Sequence, residues 1–409
     1  MNYLHRLTIL PKEKRVEKGI EYTPTEIESQ PRLWIKNFEM LRKREEEIRS
    51  FIKNRIFSKE SPRVILSGAG SSAFIGLTSQ NLLRQKWRLD VDARAATDII
   101  THWGSIFLKH ADNTMISFSR SGNSPESAGS IILANQFCEK MSHIIVTCNK
   151  DGRLAKMGNE RGNTLLILLS EETNDRGLAM TCSFTTMLMT AQFLACVNDL
   201  KDYEGIITDL SEATEKLFED YSEIIKDVSE TDFKRALFLG SGCLYGCAVE
   251  SSLKLQEMTG GRLICEPETF MGVRHGPEAV INDETIVVYF LSTNPFVRRY
   301  ELDLMKEINM KGIGMEKIVV CNRIDDEIER DVDYAIEFDR DNRFEIPDPY
   351  RPVMDVTVGQ MMGLFKSLDL NLKPDNPSER GIISRVVRGV KIYDPETFKK
   401  EGRFKAVLD

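Results

Sequence analysis

The chain has no Cys-x-x-Cys pair. Its eight cysteines are scattered at 138, 148, 182, 196, 243, 247, 265 and 321, and the one close pair, Cys243 and Cys247, has no histidine near it. That spacing excludes a zinc ribbon and a disulfide framework; the thiols read as small, reduced, apolar residues of a cytoplasmic protein. Basic charge is not in excess either: 55 Lys and Arg stand against 63 Asp and Glu, a net charge of −8. Nucleic-acid binders usually carry a basic face, so no nucleic-acid partner is expected. A local site can still be positive and take an anionic small molecule. The opening "MNYLHRLTILPKEKRVEKG" has no long apolar core and no cleavage site, which argues against secretion. Residues 177–198 carry no charge over 22 positions, enough to cross a bilayer. But Thr181, Ser183, Thr185, Thr186, Thr190 and Gln192 lie among them without flanking basic clusters, so a buried helix is expected and no membrane partner.

What is present is a repeat. With 409 residues the chain has room for two domains. "RVILSGAGSSAFIGLTSQNLL" is an apolar run, a glycine turn and a helical pattern, and "NTMISFSRSGNSPESAGSIILANQF" and "SHIIVTCNKDGRLAKMG" repeat that order. Strand and helix alternating with glycine at the joints predict a parallel sheet covered by helices. The second half copies the first: "RALFLGSGCLYGCAVESSLKL" mirrors the first of these segments, and Gly240 and Gly242 stand 172 residues after Gly68 and Gly70. Phe290 follows Phe118 by the same 172, while the later "IIVTCN" and "KIVVCN" are offset by 173 at their cysteines. Two copies of one αβα domain are therefore expected. The expected boundaries are a helical N-terminal extension over 1–48, a first domain over 49–200, a helical linker over 201–232, a second domain over 233–395 and a tail over 396–409. Within the extension, Thr25 with Glu28 three residues on reads as a capping box, and Pro31 as a helix restart.

The repeat breaks at one place. "SRSGNS" at 119–124 aligns by the constant offset with "LSTNPF" at 291–296, so that Ser119, Gly122 and Ser124 face Leu291, Asn294 and Phe296. A turn that served folding alone would suit both copies, so the asymmetry points to a ligand. In open parallel sheets ligands sit beyond the carboxyl ends of strands, where helix N-termini favour anions. Ser119, Ser121 and Ser124, with Ser71 and Ser72 on the neighbouring turn, offer hydroxyl donors for a phosphate. The plain alternative is that Ser124 only caps the helix that starts near Pro125. In the second half, Glu250, Lys254 and Glu257 in "ESSLKLQEMTGG" are spaced i, i+4, i+7 and share a helix face. They form either a solvated ion-pair stripe or a site. His275 stands in the Gly/Pro turn of "VRHGPE", either as an exposed structural residue or as a group for acid/base work near neutral pH.

Together "GAGSSAF", "SFSRSGNS" and the helix–loop ending in "RHGP" resemble the sugar isomerase (SIS) domain family in tandem, whose best-known tandem case is the isomerase half of glucosamine-6-phosphate synthase. "TNDRGLAMTCSFTTMLM" at 173–189 and "KPDNPSERGIISRVVRGVKIY" at 373–393 resemble the AgaS-type branch, described as galactosamine-6-phosphate deaminase/isomerases and earlier as tagatose-6-phosphate ketose/aldose isomerases. The resemblance covers roughly residues 45–395. It implies a sugar phosphate as the ligand, held by Ser72, Ser119, Arg120, Ser121 and Ser124, with Leu178, Ala179 and Thr181 beside the sugar. Arg120 stands where the synthase commonly has Gln, and Arg388 where it has a substrate-binding lysine. Glu257 matches the enolisation base, Lys254 and Glu250 its neighbours, and His275 the ring-opening histidine, which in the synthase comes from the partner subunit. The implied assembly is a homodimer or larger homo-oligomer. The implied chemistry needs no metal and no redox cofactor: a proton moves between C2 and C1 through an enolamine, and ammonia leaves. An aldose–ketose isomerase without deamination and a non-catalytic sugar-phosphate-binding regulator remain as alternatives.

Overall fold

The computed structural model describes residues 1–160, 162–378, 380–387, 389–397 and 406–408. The chain opens on short helices, α1 (Tyr3–Thr8), α2 (Lys12–Lys18), α3 (Thr23–Glu28), α4 (Gln30–Arg42) and α5 (Glu45–Ile52). Helix α3 starts at Thr23, with Pro24 in its first turn, so Thr25 is inside the helix and is not its cap. The amide and hydroxyl of Thr23 instead donate to Asp375 at 2.8 and 2.6 Å, which fixes the entry of the helix from a distant segment. Pro31 lies in the first turn of α4, where a missing N–H costs nothing, and the helix restarts there as expected.

The first sheet follows: β1 (Pro62–Gly68), α6 (Ser71–Trp87), β2 (Asp90–Ala95), α7 (Ala96–Ile106), β3 (Asp112–Ser119), α8 (Pro125–Phe137), β4 (Lys140–Thr147), α9 (Arg153–Asn159) and β5 (Thr164–Leu168). Its strands pair in the order β2-β1-β3-β4-β5, all parallel. The uncharged stretch forms α10 (Cys182–Ala195), buried along nearly its whole length, and α11 (Leu200–Ser229) follows it. The second sheet is built from β6 (Arg235–Gly240), α12 (Cys243–Met258), β7 (Ile264–Glu268), β8 (Thr285–Phe290), α13 (Pro295–Lys311), β9 (Glu316–Cys321), α14 (Asp326–Glu329) and β10 (Tyr334–Glu337). Its order, β7-β6-β8-β9-β10, is the same winding met a second time. A long helix, α15 (Pro352–Asp369), and two short strands, β11 (Ile392–Tyr393) and β12 (Ala406–Leu408), complete the chain.

Both sheets are central layers. Strands β3 and β8 are buried almost throughout, as strands covered on both faces must be. Ile65, Met115, Ile131 and Ile145 pack in the core of the first sheet, and Leu237, Val287, Leu304 and Val319 in that of the second. The compact units interleave along the chain. The first sheet belongs with residues 39–174, 190–198 and the described part of 383–409, and the second with 1–38, 175–189 and 199–382. Residues 1–38 are thus part of the second unit, where α1 packs on α11 and α3 on α15, while α5 belongs with the first sheet. The C-terminal strand β11 returns to the first unit, where Ile392 covers Gly129 on α8 so closely that a Cβ there would lie 2.9 Å from it. Among the described residues no helix is long and apolar enough to cross a membrane, and all eight cysteines are free.

Candidate active site

Strand order reverses between β1 and β3 in the first sheet, and the crevice beyond such a switch is where open α/β sheets take ligands. Both turns there are shaped by glycine. A Cβ on Gly68 would lie 2.4 Å from the backbone of Ser72, so only glycine lets α6 start this close to β1. Gly70 precedes the helix with φ +59° and ψ −134°, a conformation that glycine adopts without the Cβ clash other residues would meet. Ser71 and Ser72 are the first residues of α6 and are buried. After β3, the Ser119 hydroxyl accepts from the Gly122 amide at 3.2 Å and the Ser121 hydroxyl from the Asn123 amide at 3.2 Å, which curls the loop around the crevice. Gly122 has φ +64°. Ser124 caps α8, accepting from the Ser127 amide and donating to Glu126 at 2.6 Å, so the plain reading of Ser124 holds at least in part. Arg120 is buried, and its Nη2 donates to the Arg385 carbonyl at 2.7 Å.

The loop after β4 braces this turn, and nothing in the sequence patterns singled it out. Asn149 Nδ2 donates to the Ser121 carbonyl at 2.8 Å, the Leu154 amide to the Gly122 carbonyl at 2.9 Å, and the Arg153 amide to Asn123 Oδ1 at 3.0 Å. A loop held at three points is pre-organised, so little of its backbone need be ordered by any ligand it takes.

The second unit carries the titratable groups. Helix α12 places Glu250, Lys254 and Glu257 on one face, but that face is not a solvated stripe. The side chains of Glu250 and Lys254 are 0% exposed, and that of Glu257 is 25% exposed. The Lys254 ammonium donates to Glu257 Oε2 at 2.6 Å and lies 3.2 Å from Glu250 Oε1. Burial alone would push the Lys254 ammonium down; the facing Glu250 and Glu257 carboxylates outweigh it and raise it above the usual lysine value. A buried cation is thus anchored between a buried and a half-buried carboxylate, and the half-buried one reaches solvent. The covering element is α15. A Cβ on Gly359 would meet the Ser251 side chain at 2.4 Å, and one on Gly363 the Lys254 carbonyl at 2.9 Å, so two glycines one turn apart let the helices touch backbone to backbone.

Comparison with known proteins adds an independent line. The SIS domain family matches residues 56–197. A D-galactosamine-6-phosphate deaminase AgaS of Escherichia coli is 34% identical over 374 residues, covering 91% of this chain and 95% of the relative. The chain belongs to the AgaS family of SIS-domain proteins. A solved structure of a tagatose-6-phosphate ketose/aldose isomerase from Escherichia coli is 32% identical, with a TM-score of 0.83 over 91% of this chain and 96% of that one. One from Clostridium novyi NT is 35% identical with a TM-score of 0.90, over 94% of this chain and 97% of that one.

In this AgaS family member the segment at 175–181 is held by acids that the sequence reading passed over. Asp175 accepts from the Thr181 amide and hydroxyl at 3.0 Å each, from the Cys182 amide at 2.9 Å and from the Ser183 amide at 3.0 Å, which caps α10. Thr181 therefore spends its hydroxyl on Asp175. The Leu178 amide donates to the Asp375 carbonyl at 3.0 Å, and Leu178 and Ala179 are buried. Glu26 on α3 accepts from the Arg176 and Gly177 amides. The visible signal was an Asp set six residues before a Thr-Cys-Ser helix start, which is an extended capping pattern. His275 ends a short 3-10 turn over Gly272–His275, is exposed, and makes no hydrogen bond to the α12 carboxylates. Arg388 lies outside the described residues.

Proposed function

We propose that this protein converts D-galactosamine 6-phosphate to D-tagatose 6-phosphate and ammonia. The observation that carries the reading is the α12 arrangement of a buried ammonium donating to a carboxylate that reaches solvent, in a chain whose AgaS relative is named for that deamination. The 119–124 loop with Ser72 takes the phosphate, Arg120 adds positive charge there, and Leu178, Ala179, Thr181 and Arg388 belong to the sugar subsite. Ring opening by His275 frees the C1 aldehyde. Glu257 removes the C2 proton while the substrate's C2 ammonium gives up a proton to the C1 oxygen, so that the enolamine carries a hydroxyl on C1 and a neutral amine on C2, and Glu257 then returns its proton to C1. The product is a ketiminium at C2, and water adds to it and expels ammonia. Charge stays balanced within the chain's own groups: Glu257 shuttles one proton, Lys254 remains an ammonium beside it, and Glu250 offsets Lys254 from behind. Neither metal nor redox cofactor enters these steps.

The exposure of His275, away from hydrogen bonding to α12, supports its action in a partner subunit's site and hence a homodimer. Eight free thiols and an ionic substrate class support a cytoplasmic location. The test is ammonia release from a panel of hexosamine 6-phosphates. Glu257→Gln is expected to lower turnover by about 10²–10⁴-fold with the fold retained; undiminished turnover would remove Glu257 as the base. Activity regained on mixing Glu257→Gln with His275→Ala subunits is expected of shared sites, and its absence counts against them. The Escherichia coli structure named a tagatose-6-phosphate ketose/aldose isomerase keeps a second reading, ketose/aldose isomerisation without loss of nitrogen. It predicts conversion of a hexose 6-phosphate with no ammonia from any amino sugar.

A further inference from the structure

The two halves share a winding but differ in what sits at the switch in strand order. In the second half the crevice beyond β6 and β8 is filled from within. The Asp348 carboxylate, four residues before α15, accepts from the Thr293 amide at 2.8 Å, the Thr293 hydroxyl at 2.7 Å and the Ser292 hydroxyl, and from Arg351 Nη1 at 3.0 Å. Two hydroxyls, a backbone amide and a guanidinium form the kind of donor set that holds a phosphoryl group. The carboxylate supplies two oxygens where a phosphate would supply three.

The surroundings are built around that charge. Arg351 is 0% exposed; it also donates to the Leu291 carbonyl at 2.7 Å and to Asp355 at 2.9 Å. A second internal acid, Glu301 on α13, accepts from the Ser292 amide at 2.7 Å and from the Ser241 hydroxyl, tying the turn after β6 to the turn after β8. Burial pushes the Asp348 carboxyl up, yet Arg351 with the Ser292 and Thr293 donors outweighs it and holds the group below the ordinary aspartate value. The loop itself explains why an internal acid fits. Asn294 caps α13 directly before Pro295, as Ser124 caps α8 before Pro125, so these caps are true counterparts 170 residues apart. The second loop is two residues shorter than the constant offset implies.

We propose that the second switch point is an oxyanion cradle occupied by the chain's own Asp348, which closes it to sugar phosphates and limits external oxyanions to the first half of the chain. A carboxylate fixed in place by the fold competes as an intramolecular group, whose effective molarity far exceeds that of a dissolved phosphate metabolite. The inference concerns the second half alone, and it stands whether or not the first cradle holds substrate.

Removing the carboxylate tests it. Asp348→Ala is expected to bind one more inorganic phosphate per chain than the wild type in equilibrium dialysis. The readout is the difference between the two proteins, so it does not depend on the first cradle. Asp348→Asn, whose amide still fills the crevice, is expected to show no increment. Phosphate is also expected to raise the melting temperature of Asp348→Ala by several degrees beyond its effect on the wild type, with chloride at equal ionic strength giving no such rise. Should Asp348→Ala be insoluble in chloride, recovery of folded protein on refolding in phosphate supports the proposal. Equal phosphate stoichiometry in Asp348→Ala and wild type overturns it, as does a variant whose lost stability phosphate fails to restore.

Discussion

Replacing Lys254 with methionine removes the one ammonium shown between Glu250 and Glu257 while keeping nearly the same volume. Glu250 is 0% exposed, so its carboxylate loses the facing charge without gaining water. Breaking a buried pair in this one-sided way costs about 3–5 kcal/mol. At about 2–4 °C per kcal/mol for a unit of this size, the melting transition of the unit that holds α12 falls by roughly 6–20 °C. The reciprocal variant decides the cause. Glu250→Leu with Lys254→Met replaces both charges by apolar groups, which is often neutral in a packed interior, and leaves Glu257 partly solvated at the rim. Most of the lost stability is expected to return, while ammonia release stays abolished because Glu257 has lost its donor. Differential scanning calorimetry of both variants, with an ammonia assay on each, measures the two effects separately. A single variant within about 0.5 kcal/mol of wild type, inside the range of ordinary surface changes, would refute the buried network. So would a double variant no more stable than the single one.

Other consequences follow from particular contacts. Glu26 is held up to about 8 from an ordinary 4.5, by burial first and by the nearby Asp175 carboxylate next. The native state keeps this proton after the unfolded chain has released it, so the associated stability is full below about pH 4.5 and is lost as pH rises through about 8. Glu26→Gln is expected to flatten that decline in urea titrations from pH 5 to 9; an unchanged slope would assign it to other groups. In Gly122→Ala a Cβ must be placed at φ +64°, 3.2 Å from the Thr147 hydroxyl and 3.3 Å from Gly152. The strain of about 1–2 kcal/mol is expected to appear as a raised KM for the sugar phosphate with the fold intact, and an unchanged KM would detach this loop from binding. Gly359→Ala drives a methyl into Ser251 at 2.4 Å, with overpacking of about 1–3 kcal/mol. Adding Ser251→Gly should restore part of the melting temperature, and no recovery would contradict the close crossing of α12 and α15.

Much of the fold was legible because its signals are local. The glycine turns 172 residues apart predicted two equal halves, and β2-β1-β3-β4-β5 is answered by β7-β6-β8-β9-β10. The hydroxyl-rich uncharged stretch read as a buried helix and is α10. Other readings went astray where alignment by a constant number replaced geometry. Phe296 is not the counterpart of Ser124; Asn294 is, because both cap a helix before a proline. The spacing of Glu250, Lys254 and Glu257 could not distinguish a wet ion-pair stripe from a buried network, since both need the same i, i+4, i+7 pattern. Nor did any local pattern mark Asn149 or Asp375, whose partners lie 28 or more residues away in the bracing of 119–124 and in the anchoring of Thr23 and Leu178.

By itself the sequence determined the alternation of strand and helix, the duplicated winding, the glycine-shaped turns at strand ends and the residue types offered there. These follow from backbone sterics and periodicity, which act over a few residues. Only the tertiary structure decided the electrostatic state of those residues. Lys254 is buried because α15, a hundred residues later in the chain, lays Gly359 and Gly363 against α12. The second switch point is filled because Asp348 folds back onto Ser292 and Thr293. Desolvation and charge pairing depend on which distant segments arrive, and no short pattern carries that information.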